Sequence, residues 1–122
     1  MANDFKRFTK PSVTTSTGTS ASTVYTVPST GSVAMESILI GIYLSNKATS
    51  GVTASVFLDA YGGSSGDIYI VKDATIPAGS SLEVISGGKL VVQGDGTAND
   101  IIRVSCSTAS SLDATVSVLE DV

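Results

Sequence analysis

From about Val24 onward, apolar residues come in short runs separated by Gly, Ser and Asp. Within the runs they recur at every second position, the period of a pleated strand. Residues 24–27 form one such strand, stopped by Pro28, with 29–32 as its turn. The most apolar run, 38–44, has both alternating faces apolar. That predicts a central strand covered on both sides, by the other sheet or by a neighbouring subunit. A helix over 34–44 is the competing assignment, disfavoured by the run of Ile and by Gly41. Val52, Ala54, Val56 and Leu58 then alternate with Thr53, Ser55, Phe57 and Asp59 as a one-sided strand, closed by a Gly-rich loop at 62–66. Residues 68–71 are the next strand, and 72–75 lead into a turn where Pro77 sets φ and Gly79 permits the reversal. Residues 82–85 and 89–92 flank Ser86, Gly87 and Gly88 as a tight hairpin. A turn at 94–96 and strands at 101–104 and 112–118 complete the set. Seven to nine strands at intervals of roughly ten residues predict an all-β fold, an antiparallel β-sandwich or jelly-roll-like barrel.

The start of the chain has a different character. Nine of the twelve residues from Ser12 to Thr23 are Ser or Thr, and residues 5–10 hold three of the seven basic side chains. Residues 1–21 therefore read as a Ser/Thr-rich extended N-terminal arm, and 22–122 as a single β-sandwich domain of ordinary size. Phe5, Lys6, Arg7, Phe8 and Lys10 are the candidate partner-binding residues, the two Phe as anchors and the three cations as steering charges. A disordered terminus is the alternative reading. Because the arm offers few apolar residues, the body is expected to fold without residues 1–21.

Charge sharpens the division. The net charge is −4, but residues 1–10 carry +2 and the other 112 carry −6. An acidic body argues against nucleic acid as a partner, and offers the basic arm of another copy a place to dock. Only 15% of the residues are charged, while there are 20 Ser and 14 Thr, so the surface is polar yet inexpensive to desolvate against another subunit. No run reaches the length of a membrane-spanning helix, and no apolar segment follows the basic start, so synthesis in a cytoplasm is expected.

Candidate chemistry is sparse. There is no histidine, which excludes a Ser-His-Asp or Cys-His nucleophile and a histidine-ligated metal. Cys106, the single cysteine, reads as a small buried thiol. Asp59, Asp67, Asp73, Glu83, Asp95, Asp100 and Asp113 read as solvated carboxylates in turns or on outward strand faces. Asp95, Asn99 and Asp100 supply oxygens that calcium could use, but their spacing is not that of an EF-hand loop. Ser86 to Leu90 lacks the spacing of a phosphate loop. Tyr25, Tyr43, Tyr61 and Tyr69, with turn acids, leave open a small carbohydrate- or surface-binding module as the alternative function. Neither an enzyme nor a cofactor is expected.

Several segments resemble small virion structural proteins of tailed bacteriophages, those of marine and cyanobacterial phages in particular. They are residues 1–10 (MANDFKRFTK), 23–28 (TVYTVP), 69–79 (YIVKDATIPAG), 81–85 (SLEVI), 88–92 (GKLVV) and 116–120 (VSVLE). The resemblance implies a non-enzymatic particle component located in the virion, as capsid decoration, neck or collar, or tail. Its partners would be other virion proteins and copies of itself. The doubly apolar run at 38–44 and the prevalence of closed symmetry point to a closed homo-oligomer such as a trimer, while the acidic body and the lack of a membrane-spanning run point away from nucleic acid and membrane.

Overall fold

The computed structural model describes residues 3–17, 20–28, 35–60, 67–85, 89–94 and 98–121. Among these, nine strands form two antiparallel sheets, with no α-helix. One sheet contains β1 (Asn3–Lys10), β9 (Leu112–Asp121), β3 (Met35–Asn46) and the two short strands β6 (Ser81–Glu83) and β7 (Leu90–Gly94). The other has the order β2 (Ser22–Thr26), β8 (Ile101–Cys106), β4 (Val52–Asp59), β5 (Asp67–Ile76). The chain is a β-sandwich.

Alternation decides which side chains meet between the sheets, because successive residues of a strand point to opposite faces. Leu39, Ile42 and Leu44 of β3 and Leu112, Ala114, Val116 and Val118 of β9 face Val52, Ala54 and Val56 of β4 and Ile102 and Val104 of β8, all of them buried. The predicted inward phase of β4 is correct. Its outward phase is not solvated, however, since Ser55, Phe57 and Asp59 are also buried. Phe57 packs on Tyr69 at 4.6 Å between ring centroids, and Asp59 accepts a 2.9 Å bond from Arg103 Nε. Asp100 is buried too, and one of its oxygens accepts the Gln93 N–H.

The expected hairpin of 82–85 with 89–92 does not form. β6 and β7 lie end to end on the same edge of β3, where Tyr43 pairs with Glu83 and Ile38 with Val91. β3 is twelve residues long, enough for two short strands to share one edge. Residues 72–75 continue β5 and do not form a loop, with a pairing irregularity opposite Ser55. The turn at Pro77 and Gly79 is as expected: Ser80 N–H donates to Pro77 O at 3.1 Å and Gly79 has φ +71°. The Gly-rich loop at 62–66 and the turn residues 86–88 and 95–96 lie outside the described residues.

Within the expected arm, the described residues 3–17, 20 and 21 do not stand off the body. Residues 3–10 are a full edge strand, paired with β9 from Asn3↔Asp121 to Lys10↔Ala114. The Ser/Thr-rich connector then crosses to the other sheet. Val13 is completely buried, its N–H donates to Leu112 O, and Thr14 O accepts from Cys106 N. Ser12 N–H and Lys47 Nζ both bond the Asp113 carboxylate, which they hold below the usual carboxylate range. Composition hid this because one apolar residue, Val13, suffices to anchor a connector whose main chain supplies the remaining contacts.

Candidate assembly face

The strand register assembles one row of side chains on the outer face of the five-stranded sheet. Phe5 pairs with Leu119, Leu119 with Ile38, and Ile38 with Val91. Directly paired residues of antiparallel strands share a face, so four apolar side chains run in line across β1, β9, β3 and β7. Phe5 is 77% exposed and Val91 58%, with Leu119 and Ile38 half-buried between them. Ile40 and Tyr43, also on β3, are exposed beside the row. Tyr43 lies over Gly41, where a Cβ would meet its ring at 2.9 Å, so glycine here lets the ring lie flat against the sheet. A hydrogen bond to Glu83 raises the Tyr43 phenol above its ordinary pKa.

This explains the doubly apolar run at 38–44. One face of β3 is covered by the other sheet, as expected, and the other face has no cover among the described residues.

The five candidate partner-binding residues are divided by the pleat of β1. Phe5 and Arg7 are on the outer face, exposed, with Arg7 paired to Ser117. Lys6 and Phe8 are on the opposite face and engaged within the chain. Phe8 packs on Tyr25 of the other sheet at 4.9 Å between centroids, and Lys6 Nζ is 2.9 Å from Glu120 Oε1. That ion pair raises the Lys6 pKa. Lys10, at the strand end, lines a shallow groove with Thr9, Pro11 and Asp113.

Beneath Lys6 is a network whose role was not apparent in the sequence. Glu120 is 2% exposed, and its Oε2 accepts a 2.6 Å bond from Tyr25 Oη, which also meets Ser37 Oγ at 2.8 Å. Burial, then the bond to Glu120, pushes the Tyr25 phenol well above its ordinary pKa. A signal did exist: Glu120 continues the inward phase of Ala114, Val116 and Val118, and a carboxylate in an apolar phase needs partners. The face has one charge asymmetry. Arg7 is near the β1 edge, while Glu36 and Glu83 are exposed on the opposite side of the sheet, by β7 and β6.

Among the described residues no group of three or more Cys, Asp or Glu could hold a metal, and Asp95, one of the three oxygen donors considered for calcium, lies outside them. Cys106 is buried and unpaired, as expected, and burial raises its pKa.

No family model matches the chain, and no curated protein matches it. Two solved structures share a limited likeness. The STIV MCP is 16% identical, with 93% of this chain and 48% of that chain covered and a TM-score of 0.28. The infectious bursal disease virus Gt strain structure is 13% identical, with 96% of this chain and 39% of that chain covered and a TM-score of 0.26. The chain thus spans half or less of either chain, and superpositions this poor carry no argument about function.

Proposed function

We propose that this chain is a non-enzymatic structural subunit of a tailed-phage virion, serving in capsid decoration, the neck or collar, or the tail, and acting through contacts between subunits. The observation that carries the reading is the row Phe5, Leu119, Ile38 and Val91, which spans the five-stranded sheet and has nothing over it among the described residues. A contiguous apolar strip of this kind marks an interaction surface more often than solitary exposed residues do. The segments resembling phage virion proteins supply the particle context.

The occupant of the face is a second copy of the chain. Two such faces stacked about a two-fold axis parallel to the strands bring the β1 edge of one over the β6 and β7 edge of the other. Phe5 then meets Val91 of the second copy, and Arg7 comes within reach of its Glu83. The two contacts repeat by symmetry, as an isologous interface requires. Synthesis in the host cytoplasm and incorporation into the particle follow from this reading.

Two measurements test it. Quantitative mass spectrometry of purified particles should find the chain at many copies per virion. Sedimentation of the purified chain should show self-association that weakens when Phe5 and Val91 are both replaced by Ser. A chain absent from particles, or one that remains monomeric at all concentrations, refutes the proposal.

A further inference from the structure

On the opposite side of the molecule, the outer face of the four-stranded sheet carries a cleft of about 320 Å³. Its floor is formed by Ser55 of β4 and by Ser105 and Cys106 of β8, all buried. β5 forms one wall, and the connector contributes Thr15 and Thr17. The wall has an unusual construction. Pairing between β4 and β5 passes from Ala54↔Ala74 to Val56↔Val71, so Ser55 alone stands opposite Lys72 and Asp73. Bulges of this kind re-aim side chains and are common beside binding sites. Asp73 has φ +51°, a conformation that Asp tolerates better than most residues, and its N–H donates to Ser55 Oγ at 3.0 Å. The bulge therefore sets an ammonium and a carboxylate side by side at the cleft.

Three features define what the cleft could hold. Tyr69 is 46% exposed and braced from behind by Phe57, so it offers a ring whose position is set before any ligand arrives. Lys72 Nζ is 5.3 Å from the centroid of that ring. Ser105 is only 4% exposed and lines the cleft with Ser55 and Ser107. A serine hydroxyl can donate to or accept from a polar group that reaches it.

We propose that this cleft binds a neutral pyranose. Lys72 and Asp73 cancel, so the lining has no net charge to attract phosphate or a carboxylate. Adjacent hydroxyls of a sugar match the adjacent groups: one donates to the Asp73 carboxylate while its neighbour accepts from Lys72. Lys72 leaves the Tyr69 ring to make that bond, and the C–H face of the sugar takes its place on the electron-rich face. Ser105 and the Thr side chains meet the remaining hydroxyls. The site is independent of the apolar row, because it is on the other sheet.

The experiment is a titration of the full chain, followed by ¹H–¹⁵N NMR, with methyl pyranosides of glucose, galactose, mannose and N-acetylglucosamine, and separately with inorganic phosphate. At least one pyranoside should give saturable shifts at Ser55, Asp73 and Ser105. Asp73→Asn keeps a residue type that accepts positive φ, and should weaken that binding about tenfold without unfolding the chain. Ser105→Ala should weaken it severalfold. Absence of saturable shifts with every pyranoside overturns the proposal. So does unaltered affinity in both variants, or phosphate shifting these amides while all the sugars leave them unchanged.

Discussion

Tyr25 Oη donates a 2.6 Å hydrogen bond to Glu120, tying β2 of one sheet to β9 of the other through a carboxylate that is almost wholly out of water. Lys6 supplies the opposite charge from β1. The N-terminal strand is thus part of the electrostatic balance of the core, because a buried carboxylate left without partners is strongly destabilising.

Tyr25→Phe removes the donor to Glu120 and the acceptor for Ser37 Oγ while keeping the ring that packs on Phe8. It should cost about 1.5–3 kcal/mol in urea denaturation, the range for a hydrogen bond to a charged group. A variant as stable as the parent would mean that water or Lys6 satisfies Glu120 without the phenol.

The same network makes an alkaline limit. Tyr25 and Lys6 both have folded pKa values raised above their unfolded values, which are near 10 for both residue types. A raised pKa adds stability that is fully present below the unfolded pKa and is lost as pH climbs towards the folded one. The melting temperature should therefore hold steady from neutral pH to about pH 9 and fall above about pH 10. The fall should be shallower in Tyr25→Phe. An equal fall in parent and variant would assign the alkaline limit to other groups.

Truncation separates strand from connector. Deleting residues 1–10 removes Phe8 from Tyr25 and Lys6 from Glu120, and bares the edge of β9. Deleting residues 1–21 also removes the buried Val13 and the acceptor for Cys106 N–H. The shorter deletion should lower stability, and the longer one should lower it further, by more than about 3 kcal/mol, the scale of losing large buried side chains. Cooperative melting of the chain without residues 1–21 at the parent's temperature would restore the arm as a separate element.

Gly79→Ala tests the turn between β5 and β6. A Cβ there has open space around it, so the cost comes from φ +71° alone. The expected loss is about 1 kcal/mol, read as a lowered denaturation midpoint with an unchanged slope.

Much of this architecture was legible as pattern. The inward phases of β4 and β9, the Pro77 and Gly79 turn and the buried thiol of Cys106 all follow from alternation or from the preferences of single residues. The two-sided apolar character of 38–44 pointed to a strand covered on both sides, and among the described residues one of those covers, the other sheet, is in place. The polar cleft was less visible, since residues 72–75 read only as the lead into the Pro77 and Gly79 turn, and Ser55 and Ser105 are among many serines.

Strand identity and side-chain phase were local properties, set by a two-residue period that any stretch of chain reveals. Strand partnership was not. Phe5 beside Leu119, Tyr25 against Glu120 and the two short strands sharing one edge of β3 all join positions far apart in the chain. Such pairings depend on which faces remain to be buried once the neighbouring strands are in place, so the chain had to fold before the N-terminal segment could be recognised as a strand.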